Sequence, residues 1–195
     1  MALVLVTPPA VEPLTLAEVK LAFRLDETST LEDSYLNSLI KAARESAEDF
    51  LGRALIEQQW GLFLDDFPAG PTIEIPKPPL VSVTHVKYTD PNGVVQTLTL
   101  DVDYVVDAKT EPGWVILPEA KSWPTVKESV HVVEIQFKCG YGAAASAVPE
   151  TIRLAMLHIV GHWYENREAY SPDRPLSEIP LAGQMLMWPK RFMTF

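Results

Sequence analysis

The sequence has a single cysteine, Cys139, so no internal disulfide can form and an oxidising compartment is not implied. No apolar run approaches the roughly 18 uncharged residues of a membrane-spanning helix. The opening apolar run, Ala2 to Val6, is short and has no basic residue ahead of it, so no signal peptide is expected. Positive charge is scarce too: 16 Lys and Arg stand against 26 Asp and Glu, a net charge of −10. A surface of that sign repels phosphate, which argues against sequence-independent binding of nucleic acid. It leaves room for DNA passing close by, because a like-charged wall lets a polyanion slide where a basic wall would hold it. Internal repeats and low-complexity tracts are also missing. The expectation is a soluble protein assembled in the cytoplasm.

What is present is ordinary globular material: 195 residues, 47% hydrophobic and 22% charged. A chain of this length buries roughly 70% of the surface it exposes when unfolded, so it needs neither metal nor disulfide to hold it. One domain, or one domain with a sizeable insertion, fits the length.

Helical signals come first. Thr15 can cap the free amides of a helix while Glu18 reaches back, and Leu14 and Val19 stand at the positions of a hydrophobic staple. That helix is expected to run to about Leu25, with Val19, Ala22 and Phe23 inward. A longer helix is expected from about Leu31 to Leu51, with Thr30 and Asp33 as a second capping pair. Leu36, Leu39, Ile40, Ala43, Ala47, Phe50 and Leu51 recur at three- and four-residue steps as one apolar stripe. Lys41, Arg44, Glu45, Glu48 and Asp49 fill the opposite face, and Gly52 is placed to end the helix in a left-handed conformation. From Ile56 to Gly142 the period changes to two. Trp60, Leu62 and Leu64 alternate, as do Val133, Ile135, Phe137 and Cys139. Shorter strand-like runs lie between them, and Asp90-Pro91-Asn92-Gly93 is a hairpin turn. Gly140 to Ala147 then forms a hinge into a third helix. Pro149 opens it, its buried stripe is Ile152, Met156, Ile159, Val160 and Trp163, and it ends near Glu168.

The predicted fold is α+β. A helical bundle is built from residues 1–55 and 143–195, and a small β-sandwich or barrel-like module of residues 56–142 is inserted between its second and third helices.

Candidate chemistry is sparse. His158, His162 and Glu165 share one face of the third helix, the arrangement a metal site needs, and they support the alternative reading of a metal-binding enzyme. The zinc-protease pattern, however, requires Glu directly after the first His, where Ile159 stands, and no further His or Cys lies nearby. Asp65, Asp66, Asp90, Asp101, Asp103 and Asp107 lack the ligand spacing of an EF-hand and read as turn chemistry. Cys139 ends a strand whose inward set is apolar, which points to a buried, inert thiol. Exposed Trp114 and Trp123 would suit a carbohydrate-binding β module, but strand alternation puts most such aromatics in a core. No serine sits in a nucleophile elbow. No catalytic residue, metal ligand or cofactor is therefore expected.

The tail differs. Met185, Leu186, Trp188, Arg191, Phe192 and Phe195 belong to a Trp- and Met-rich segment with little periodicity, which must be buried somewhere. It can fold back on its own domain or dock into a partner, since these residue types anchor interfaces. Arg191, beside Lys190, adds a charged contact in the second case.

The ordered series of segments resembles a known family. Leu14-Thr15-Leu16-Ala17-Glu18-Val19-Lys20, the run Leu39 to Glu48 and Gly52-Arg53-Ala54-Leu55-Ile56 are similar to the opening helices of phage head–tail connector (adaptor) proteins. Tyr88-Thr89-Asp90-Pro91-Asn92-Gly93, Tyr104-Val105-Val106-Asp107 and Trp123-Pro124 resemble their β block. Cys139-Gly140-Tyr141-Gly142, Val148-Pro149-Glu150 and His162-Trp163-Tyr164-Glu165-Asn166-Arg167-Glu168 resemble their return helix. The resemblance spans about residues 14–168. It implies a structural subunit of the virion neck in a siphophage-like particle, prophage or gene transfer agent. Copies would form a ring, commonly of twelve, between the portal protein and the stopper or tail-completion protein. DNA would pass through the lumen without specific binding, and the tail, Met185 to Phe195, would reach toward the portal.

Overall fold

The computed structural model describes residues 1–166 and 181–192. The chain divides into two compact units, one made of Met1–Ala10 with Glu57–Tyr141, the other of Val11–Ile56 with Gly142–Phe195.

The first unit is all β. Its strands are β1 (Ala2–Thr7), β2 (Gln58–Leu64), β3 (Thr72–Ile75), β4 (Leu80–Thr89), β5 (Val95–Leu98), β6 (Val105–Asp107), β7 (Gly113–Ile116) and β8 (Val133–Cys139). A five-stranded antiparallel sheet has the order β1-β2-β8-β4-β5, and a three-stranded one the order β3-β7-β6. The alternation read along β8 is the alternation found: Val133, Ile135, Phe137 and Cys139 are fully buried while Lys138 is exposed. Central position explains this, since β8 is paired on both edges, by β2 and by β4. The hairpin turn forms as its residues dictate. Asp90 Oδ1 accepts from the amides of Asn92 and Val94 at 2.9 and 3.0 Å, and Gly93 adopts φ +84°. Gly113 is required by packing, because a Cβ there would meet Leu80 Cδ2 at 2.5 Å.

The N-terminal strand corrects the sequence reading, which put the first ten residues with the helices. Ala2–Thr7 instead pairs with β2, Leu5 opposite Trp60 and Leu3 opposite Leu62. Six consecutive residues of mixed exposure carry no clean period, and their partner lies more than fifty residues along the chain, so only the sheet reveals the strand.

The second unit holds α1 (Leu16–Ala22), α2 (Asp33–Leu51), α3 (Glu150–Glu165) and α4 (Leu181–Met187), with single turns of 3-10 helix at Ala145–Ala147 and Trp188–Lys190. Helix α2 packs on α1 and α3, and α4 packs on α3. The capping box at α1 is complete: the Glu18 amide donates to Thr15 Oγ1 at 3.2 Å and the Thr15 amide to Glu18 Oε2 at 2.7 Å. Gly52 closes α2 at φ +66°. The second capping pair does not form. Glu32 holds the cap position of α2 without a side-chain capping bond, its carboxylate accepting instead from the Tyr164 hydroxyl, and Asp33 meets Lys20, whose ammonium is buried and also donates to the Ser29 carbonyl at 2.6 Å. In α1, Val19 is buried and Phe23 half-buried, but Ala22 faces outward.

A larger correction concerns α2. Arg44 and Glu48, assigned to its polar face, are only 5% and 6% exposed. Arg44 Nε donates to Glu12 at 2.8 Å and its Nη1 to Glu48 at 3.0 Å, while Glu48 also accepts from the Leu55 amide at 2.8 Å. The helix is therefore buried over a wider arc than its apolar stripe, and a charge network fills the extra sector.

Candidate partner-binding surface

The tail is built onto the end of α2. Met187, the last residue of α4, is fully buried, which contributes roughly 1.5–3 kcal/mol toward holding that helix in place. Pro189 then sits in the 3-10 turn, where its missing amide costs no hydrogen bond. Two main-chain contacts fix the backbone at Lys190 and Phe192. The Phe192 amide donates to the Leu51 carbonyl at 2.7 Å, and Arg53 Nε donates to the Lys190 carbonyl at 2.6 Å. The first of these satisfies one of the free carbonyls at the C-terminus of α2. Gly52 lets the tail approach this closely: a Cβ there would lie 3.0 Å from the Phe192 carbonyl oxygen.

On this base the side chains separate into two groups. Met187 faces inward, and Leu186 and Phe192 are half-buried. Met185 is 69% exposed and Trp188 57% exposed. The Trp188 ring lies 6.3 Å from the Phe50 ring, and the Arg191 guanidinium carbon lies over both, 5.2 Å from Phe50 and 5.5 Å from Trp188. Phe195 lies outside the described residues, and α3, expected to end near Glu168, ends at Glu165 with Asn166 as its cap. The segment thus folds back only in part. Its backbone, Met187 and part of Phe192 fold back, while Met185, Trp188 and Arg191 are presented to solvent.

The other candidates are dispersed. His158 and Glu165 are exposed on α3 and His162 is half-buried, its carbonyl accepting from Asn166 Nδ2 at 2.8 Å. Among the described residues no three His, Cys, Asp or Glu side chains are placed to hold a metal ion, and no helix is long and apolar enough to cross a membrane. The acidic residues of the β unit serve loops. Asp90, Asp103 and Asp107 are held below the usual carboxylate range, chiefly by backbone amides of Val94, Thr99 and Lys109 respectively. Cys139 is fully buried, its thiol 3.9 Å from the Gln58 carbonyl oxygen. Trp123 stacks on Phe67 with ring centroids 4.8 Å apart and donates to the Gly70 carbonyl at 2.9 Å. With Tyr88, Gln96 and a Lys121–Asp103 pair it lines a shallow cleft of about 260 Å³.

A second polar cluster escaped the sequence reading. Arg153 on α3 donates to the Pro13 carbonyl at 3.0 Å and to Glu150 at 2.7 Å, and it pairs with Glu18. Burial pushes Glu18 upward, but the Thr15 amide and hydroxyl and the Arg153 guanidinium outweigh it, leaving the carboxyl below its ordinary value of 4.5. The cluster ties the start of α1 to α3. Its sequence signal was Arg153 beside Glu150 at the opening of a helix, which is no more than a common local pair.

No curated protein matches the sequence. Solved structures do match. One is a chain in the neck of an empty gene transfer agent particle computed with C6 symmetry, 24% identical, with a TM-score of 0.83 over 100% of this chain and 97% of that one. Another belongs to the virion of a native gene transfer agent particle, 25% identical, with a TM-score of 0.80 and the same coverage. A third belongs to the neck of a native particle computed with C12 symmetry, 22% identical, with a TM-score of 0.76. The likeness covers the residues of both units. The model of the head completion protein family matches residues 12–172, which span α1 through α3 with the β strands between them, and this chain belongs to that family.

Proposed function

We propose that the chain is a head–tail connector (adaptor) subunit, a structural part of the neck of a siphophage-like or gene transfer agent particle. The observation that carries this reading is the family match over residues 12–172 together with the whole-chain likeness to neck chains. Its helices, drawn from both ends of the chain, work as one connector bundle, and the β unit is the inserted module that meets neighbours. Copies stand side by side in a ring of twelve, as the C12 symmetry of one similar neck suggests. A ring of identical subunits needs head-to-tail contacts that close by rotation. The portal protein lies on one side and the stopper or tail-completion protein on the other. The net charge of −10 suits a conduit wall along which DNA slides. The chain does no catalysis.

The tail is the portal-facing element in this reading. Met185, Leu186, Trp188, Arg191, Phe192 and Phe195 form the contact, with Met185 and Trp188 its exposed apolar anchors. Pull-down with the cognate portal ring compares the full chain with one ending at Glu168. Loss of binding on truncation is expected, and undiminished binding by the short chain removes the tail from the contact. Electron microscopy of the reconstituted complex reads the ring itself, and a free chain that never assembles on a portal would overturn the connector reading.

A further inference from the structure

Lys190 and Arg191 are out of place in this protein. The chain is acidic overall, yet the described tail, residues 181–192, carries these two cations and no Asp or Glu. Elsewhere in the same unit, the less exposed cations Lys20, Arg44 and Arg153 each face a carboxylate, while Arg24 and Lys41 are isolated exposed cations with no second cation beside them in the chain. Lys190 and Arg191 are exposed, and neither faces a carboxylate among the described residues. The backbone that carries them is nevertheless held firmly, through Arg53 to the Lys190 carbonyl and through the Phe192 amide to Leu51. Arg191 is further restrained by two aromatic faces, Phe50 and Trp188. Such cation–π contacts involve no acceptor atom and leave the N–H donors of the guanidinium without a carboxylate among the described residues. Holding a long side chain in one orientation removes most of the entropy cost that ordinarily makes an exposed ion pair weak.

We infer that Lys190 and Arg191 are the cationic half of a contact whose other half is a cluster of carboxylates on the protein that receives the tail. The inference rests on the portal-docking reading above and specifies its chemistry: an acidic rim around an apolar pocket that takes Trp188 and Met185. Charge complementarity supplies the argument. A subunit of net charge −10 approaching an acidic partner is repelled overall, and two adjacent cations beside the exposed Trp188 and Met185 favour approach by this corner. A competing account is that Arg191 only serves its own fold, as a cation beside the C-terminal carbonyls of α2. The two accounts differ in what its removal does to free and bound protein.

The test titrates full-length chain against the cognate portal ring at low and at high salt, alongside thermal unfolding of each free variant. Wild type is expected to bind more weakly as salt rises. R191Q and K190Q are expected to lose about tenfold in affinity at low salt and to show a flatter salt dependence, with melting of the free chain little changed. R191K, which keeps the charge but not the planar guanidinium, falls between. R191Q and K190Q binding as wild type does, with the same salt dependence, overturns the inference and leaves tail docking standing. A loss of binding that only follows a loss of melting temperature assigns Arg191 to the fold and also overturns it. Absence of wild-type binding at every salt concentration fails the docking reading itself.

Discussion

Removing the Arg44 guanidinium while keeping its volume, as Arg44→Met does, takes away the cation that three carboxylates share. Glu48 is 6% exposed, Glu12 has 29% of its side chain exposed and Glu45 has 56%. Glu45 can turn to water and costs little. Glu48 cannot turn away, because its second oxygen holds the Leu55 amide at 2.8 Å. Weakening a buried charge network from one side costs up to about 3–5 kcal/mol, since Glu48 loses the Arg44 contact without regaining water. For a chain of this size that corresponds to a fall in Tm of about 6–20 °C. Glu48→Gln is gentler: the amide oxygen still accepts from Leu55, but Arg44 keeps only Glu12 and Glu45. In the double variant both members of the Arg44–Glu48 contact are gone, so the two losses must not add. A coupling of at least about 1 kcal/mol is expected from urea unfolding of wild type, both singles and the double. Additive losses, or a cost below about 1 kcal/mol for Arg44→Met alone, refute the claim that this sector of α2 is a buried network.

Gly52→Ala places a Cβ 3.0 Å from the Phe192 carbonyl oxygen at φ +66°, and is expected to cost about 1–2 kcal/mol and to loosen the tail. Limited proteolysis after Met187 reads the second effect, and an unchanged cleavage rate would show that Gly52 does not seat the tail. Thr15→Ala is expected to cost about 1 kcal/mol through the lost cap. It also changes the response to acid. Glu18 is depressed in the folded protein, so its share of stability is present above its unfolded value of 4.5 and is lost as pH falls through the lower folded value. Without the Thr15 hydroxyl the depression shrinks, and acid unfolding should begin at higher pH; coincident acid profiles after correction for the cap would contradict this.

Features written in neighbouring residues were legible. The capping box at Thr15 and Glu18, the left-handed stop at Gly52, the Asp90 turn and the alternation along β8 each depend on a few consecutive positions, and each forms as read. Features that depend on a distant partner were not. Nothing in Ala2 to Thr7 announces that β2 waits beyond α2, and nothing in Thr30-Leu31-Glu32-Asp33 says that Lys20 will claim Asp33 before it can cap. The burial of Arg44 and Glu48 lies between these cases. They are four apart, interleaved with the buried Ala43 and Ala47, so a wider inward arc with an internal ion pair was available as a reading. Polarity alone sent them outward, because a charged residue on a helix is most often solvated.

The tail shows why a segment can resist assignment as a whole and yield residue by residue. Composition offered two fates, folding back or docking, and treated them as alternatives. They are linked, because an anchor for a partner needs to be held before it is useful. Buried Met187 and the bonds from Leu51 and Arg53 set the backbone at Lys190 and Phe192. That ordering is completed within the subunit, so in the proposed contact a partner would meet Trp188 and Arg191 already placed and would not bear the cost of fixing them. Preorganisation of this kind predicts which substitutions weaken docking indirectly. Met187→Ala would act by releasing the platform and Trp188→Ala by removing a contact, and only the first should also destabilise the free chain.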